Sequence, residues 1–150
     1  MSIQASIEIG FSTLHQDHTI MELIQTLLDG GWTLNDNGKV SYLPIGHDDV
    51  FDWTVHADIS HDELMEILKE KEQRSEPVGV VLTWQDTNIG GAFIFQSPKK
   101  LSIDLIVNRK IAYGINNFQM TDGNWYLTRL LPIFCENHIE VYCFSFSEMA

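Results

Sequence analysis

The chain has 150 residues, 44% of them apolar and 20% charged, with 21 acidic side chains against nine basic ones and a formal net charge of -12. A single domain of this size buries roughly 70% of the surface its unfolded chain exposes, so its core needs no disulfide or metal staple. The excess negative charge argues against direct binding to nucleic acid or to an anionic membrane, both of which repel it.

Nowhere are there 18 consecutive apolar residues, and the amino-terminal MSIQASIEIGF lacks the basic n-region of a secretory signal, which together read as a cytoplasmic protein. In such a compartment Cys135 and Cys143 are expected to be buried free thiols rather than a bridge.

Ile3, Ala5, Ile7, Ile9 and Phe11 alternate with Gln4, Ser6, Glu8 and Gly10, the period of a strand with one covered side. Thr19 and Glu22 have capping-box spacing, and Ile20, Leu23, Ile24, Leu27 and Leu28 follow at helical spacing until Gly30-Gly31 stops them. Residues 32–34 and 39–43 flank Asn35-Asp36-Asn37-Gly38, whose Asn-Gly accepts positive φ, so a short hairpin is expected. After Pro44 and Gly46, residues 50–56 read as a strand with Phe51, Trp53 and Val55 towards the core and Asp52, Thr54 and His56 opposite.

Ser60 with Glu63 forms a second capping box, and Asp62 and Glu63 favour the positive end of the helix it starts. Leu64, Met65, Ile67 and Leu68 are expected on the inner side and Glu63, Glu66 and Glu70 on the outer one. Lys69, Lys71 and Arg74 mix the charge towards the end, and Pro77 stops continuation. Residues 78–84, 91–96 and 101–107, joined by short polar links, predict an antiparallel meander, with a weak fourth strand at 111–113 before the Asn116-Asn117 loop.

Thr121, Asp122 or Asn124 caps a third helix carrying Leu127, Leu130, Leu131 and Phe134, in which Pro132 predicts a kink or break. Residues 139–146 are apolar on both sides, as suits a central strand in a covered sheet. The order of elements makes this an α+β protein: one domain, a mostly antiparallel mixed sheet packed by about three helices. Trp32, Trp53, Trp84 and Trp125 all fall at positions expected to be covered.

Charge is distributed unevenly along the chain. Residues 1–68 hold twelve acids against Lys39 alone, whereas residues 69–150 hold nine acids against eight bases. The imbalance peaks between Gly46 and Leu68, where Asp48, Asp49, Asp52, Asp58, Asp62, Glu63 and Glu66 meet no Lys or Arg. Like charges repel, so a partner of opposite sign or a solubility requirement has to offset their cost. These seven acids, with His56 and Thr54 on the same strand side, are the candidate partner-binding surface.

Enzymatic motifs are missing. His15-Gln16-Asp17-His18 and Gly46-His47-Asp48-Asp49 match no metal-ligand spacing. His61-Asp62-Glu63 has the H-x-E of a zinc deaminase without its P-C-x-x-C, since Cys135 and Cys143 are eight apart. No G-x-S-x-G elbow, dinucleotide fingerprint or P-loop occurs. Carboxylates in this excess need no catalytic explanation, so no catalytic residue, metal or cofactor is expected.

The run Gly31-Trp32 through Tyr42-Leu43-Pro44, then Gly46-His47-Asp48-Asp49 and Phe51-Asp52-Trp53, set in a small acidic α+β chain, resembles bacterial immunity proteins of contact-dependent growth inhibition and polymorphic toxin systems. The resemblance implies a protein that performs no chemistry and neutralises a cognate toxin domain, a basic nuclease in the usual case, through its acidic surface. A secretion chaperone is an alternative, and would show dimerisation together with binding of a disordered effector peptide. An acidic nucleic-acid mimic would instead bind several unrelated DNA-binding proteins. Charge reversal at Asp49, Asp52 and Glu66 together is expected to slow association with the toxin and weaken protection without unfolding the chain. A triple variant binding as tightly as the parent would refute the patch.

Overall fold

The computed structural model describes residues 4–46, 52–113 and 119–149. In chain order the elements are β1 (Gln4–Phe11), α1 (Ile20–Asp29), β2 (Trp32–Leu34), β3 (Val40–Tyr42), β4 (Thr54–His56), α2 (His61–Gln73) and β5 (Val78–Trp84). There follow β6 (Gly90–Ser97), β7 (Lys100–Val107), β8 (Ile111–Tyr113), β9 (Gln119–Thr121), α3 (Gly123–Glu136) and β10 (Val141–Met149). Seven strands run in the order β10-β1-β7-β6-β5-β3-β4, β2 also pairs with β5, and β8 with β9 forms a separate ribbon. Every described ladder is antiparallel. The protein is therefore α+β, as the pattern of elements predicts.

All three helices contribute to one core on one side of the sheet. Ile7 and Ile9 of β1, Leu101 and Ile103 of β7, Phe93 and Phe95 of β6 and Val78, Val80 and Leu82 of β5 meet Leu23, Ile24 and Leu27 of α1. Leu64 and Leu68 of α2 and Tyr126, Leu130 and Phe134 of α3 complete the cluster. Trp32 is 1% exposed at its centre, edge-on to Trp84 and Phe93, and its indole N–H donates to the Arg129 carbonyl at 3.0 Å. Thr19, Ser60 and Asp122 cap the three helices through the amides of Glu22, Glu63 and Trp125.

The opposite side of the sheet is covered in part. Leu43 and Trp53 lie over Gly79 of β5, where an added Cβ would stand 2.7 Å from Leu43 and 3.0 Å from Trp53. Strand β5 is buried on both sides, Val81 included, and this cover lies over its Gly79. Trp53 is thus half-buried behind the sheet rather than in the main core. Over β1 and β7 the exposed side is mostly polar, Ile106 apart: Ser6 faces Asp104 and Glu8 faces Ser102. Partial burial raises the Asp104 pKa, and the nearby Glu8 charge raises it further.

Several expectations need correction. The stretch before Pro44 is no hairpin: β2 and β3 both lie antiparallel along β5, Trp32 opposite Trp84 and Tyr42 opposite Val80. Asn37 and Gly38 do take φ of 54° and 84°, but the turn joins only Asp36 to Lys39 as a single bridge, after which the chain resumes its course along β5. Nor does Pro132 break α3. It lies on the exposed side, while Leu130, Ile133 and Phe134 hold the helix to the core.

Strand β9, absent from the sequence reading, pairs with β8; Asn116 and Asn117 lie outside the described residues. Both cysteines are free but exposed rather than buried. Finally β10 is an edge strand, not a central one: among the described residues it pairs with β1 alone, and its Tyr142 and Met149 are 71% and 65% exposed.

Truncating Phe93 to alanine at the middle of the sheet is expected to lower unfolding free energy by about 3–5 kcal/mol in urea denaturation. The raised Asp104 pKa carries the opposite sign from a salt bridge. It costs stability once pH exceeds the unfolded value of about 3.9, so Asp104→Asn is expected to raise Tm at pH 7 and to have no effect at pH 3.

Candidate functional site

Two carboxylates and one ammonium fix the position of α2. Lys71 is completely buried, its Nζ donating to the Pro44 carbonyl at 2.7 Å and to Glu76 Oε1 at 3.3 Å. Glu76 also accepts from the Gly46 amide at 2.8 Å and lies 3.7 Å from Arg74. Partial burial pushes the Glu76 pKa up, but the Gly46 amide, Lys71 and Arg74 outweigh it and hold the pKa below its ordinary value. On the other flank, Glu72 accepts from the amides of Ile20 and Met21 at 2.7 and 3.2 Å, closing the start of α1. Sequence reasoning missed both roles. The sequence places Lys71 in a mixed-charge helix end, yet it takes an inner position beside Leu64 and Leu68.

Held this way, α2 turns Asp62, Glu63 and Glu66 to solvent. At 100° per residue Asp62 and Glu66 fall on one line and Glu63 lies beside them. Glu70 continues the outer side but is paired with Arg74 at 3.0 Å. Met65 and Ile67 are half-buried at the margins rather than fully inside. Between α1 and α2 runs a mainly apolar groove of about 560 Å³, lined by Thr19, Met21, Met65, Glu66, Lys69, Glu72 and Gln73. Methionine side chains adapt to irregular apolar partners, so the groove gives the acidic surface a soft apolar border.

Of the other predicted residues, Asp48 and Asp49 lie outside the described residues, as do Val50 and Phe51. Asp52, His56 and Asp58 are all exposed. The inward and outward sides of β4 are the reverse of the expectation. Thr54 faces Tyr42, which reaches the core at Val80, whereas Val55 faces Ser41 and is 56% exposed. Thr54 and His56 therefore share the helix side of the sheet. The Asp58 amide donates to His56 Nδ1 at 3.1 Å, shaping the turn that leads to Ser60.

Among the described residues, Asp58, Asp62, Glu63 and Glu66 form no ion pair. Other cations are engaged elsewhere: Lys100 beside Glu8 at 3.9 Å, Arg129 over the Trp125 ring at 4.2 Å, and Lys71 and Arg74 as described. The exposed Lys39 and Lys69 adjoin the patch, on the turn before β3 and on α2 itself. Among the described residues no three His, Cys, Asp or Glu side chains converge as metal ligands would. Likewise, no described helix is long and apolar enough to cross a membrane. Comparison with protein-family models, curated proteins and solved structures returns no match to this chain.

Removing the ammonium with Lys71→Ala is expected to cost about 3–5 kcal/mol in chemical denaturation, because Glu76 loses its buried partner. With its pKa held down in the folded state, Glu76 contributes stability at neutral pH. That contribution fades as pH falls below about 4, and Glu76→Gln should flatten this part of the Tm profile.

Proposed function

We propose that the chain is a cytoplasmic immunity protein that binds a cognate toxin domain, a nuclease with a basic surface, and neutralises it without chemistry of its own. The observation that supports this best is the exposed run from Asp58 to Glu66, whose carboxylates meet no cation of their own chain among the described residues. A nuclease carries Lys and Arg to hold phosphates, and an acidic surface of this kind can occupy that cleft or dock beside it. The methionine-bordered groove supplies apolar contact next to the charge, which association needs because exposed ion pairs alone contribute little.

Steering of this sort raises association towards ~10⁸ M⁻¹s⁻¹ at low salt, fast enough to intercept an incoming enzyme. The same groove favours a second reading, an acidic secretion chaperone that lays an effector segment between α1 and α2. Titration with disordered effector peptides separates the two, since the immunity reading requires a folded toxin domain.

The test is capture of the partner, identified by mass spectrometry and by the toxin gene adjoining this one, followed by stopped-flow association. The Asp58→Lys, Glu66→Lys double variant should associate at least about tenfold more slowly and lose most of the salt dependence of the rate. Neither site lies in the first turn of α2, so helix stability should be little changed. An unaltered rate in the double variant would overturn the reading.

A further inference from the structure

Strand β10 has nine residues, Val-Tyr-Cys-Phe-Ser-Phe-Ser-Glu-Met, and among the described residues it ends the sheet with only β1 beside it. Exposed edges of this length are ordinarily protected by lysine, proline, a bulge or a covering segment, because unpaired N–H and C=O groups recruit another strand. Here there is no Lys, Arg or Pro, and the one bulge lies between Gly10 and Phe11, at the Val141 end. The single charge, Glu148, accepts a hydrogen bond from the Thr121 amide at 2.9 Å. Apolar groups stand on both sides of this edge, Phe144 and Phe146 towards the core and Met149 opposite.

We propose that β10 pairs antiparallel with β10 of a second copy, the two-fold axis passing through Ser145, to give one continuous sheet across the dimer. In that register Phe144 faces Phe146 of the other copy and Cys143 faces Ser147, while the bulge takes Val141 and Tyr142 out of this alternation. Each contact is apolar or small and polar, and no like charges meet.

Charge placement selects a second copy over a basic peptide, since β10 offers an incoming cation only a carboxylate already bonded to Thr121. Asp52 and Asp58, which flank β4, lie at the far end of the strand order. Six strand spacings of about 4.8 Å separate β10 from β4, and thirteen would separate the two β4 edges of a dimer, far beyond the ~8 Å screening length in physiological salt. Closer to the seam, Glu8 lies beside Lys100 at 3.9 Å and Glu140 beside His15 at 3.0 Å, so neither carboxylate is unaccompanied there. The seam is independent of the proposed function, because it leaves α2 and its groove free in both copies.

Sedimentation at about 100 µM chain should give twice the 17.2 kDa chain mass. Ser145→Lys should give a monomer with unchanged circular dichroism and Tm, because within one chain the new ammonium faces Glu8 while across the axis it faces its own copy. Position 145 is also its own neighbour in this register. With Cys143→Ser as the parent, adding Ser145→Cys should yield a disulfide-linked dimer under diamide, which accepts the two electrons of the paired thiols. The parent, retaining Cys135 on α3, should not cross-link. A wild-type monomer, or a dimer that survives Ser145→Lys and fails to cross-link through position 145, would overturn the proposal.

Discussion

A fully buried ammonium is expensive unless its protons are all engaged, and Lys71 is where this chain accepts that cost. Its hydrogen bonds to Pro44 and Glu76 fasten the inner side of α2 to the segment following β3, and Gly46 closes the arrangement through Glu76. The orientation of α2 about its own axis follows from this, and with it the direction in which Asp62, Glu63 and Glu66 point. A helix held only by Leu64 and Leu68 would present a narrow apolar stripe, free to roll. The polar clasp removes that freedom, and the acidic surface gains a fixed outline.

Putting every helix on one side of the sheet divides the molecule into unlike halves. The helix side holds the aromatic cluster around Trp32 and the long aliphatic rows of β5, β6 and β7. The other side carries Leu43 and Trp53 over Gly79, with Val81, Ala92 and Ile94 on the same side of β5 and β6, and is mostly polar across β1 and β7. Half-covered antiparallel sheets are stable in this form because alternation along each strand sends apolar groups one way and polar groups the other. Strand β10 fits the scheme imperfectly, as Tyr142 lies across Gly10 on the uncovered side, where a side chain on Gly10 would collide with its ring.

Much of this was legible from local pattern. The helix caps depend on residues three apart, the meander β5-β6-β7 on short links, and the face of β1 on strict alternation, so each is encoded within a dozen residues. What escaped depends on partners distant in sequence. Period-two alternation defines two sides of β4 but not which is covered, and the pairing of Thr54 with Tyr42 decides that. A strand apolar on both sides looks central until the sheet is found to end there. Lys71 and Glu72 look like ordinary surface charges because their partners, Pro44 and the amides of Ile20 and Met21, are 27 to 52 positions away. Asp62, Glu63 and Glu66 were readable because a helix surface is itself a local property.

The carboxylate of Glu72 lends two helices a common terminus. Since it supplies the acceptors for the opening peptide groups of α1, any load applied to α2 by a body gripping its outer surface passes into that first turn rather than stopping at the groove. Solvent deuterium entering at Ile20 and Met21 would then act as a strain gauge for events on the neighbouring helix, at a place no ligand has to touch.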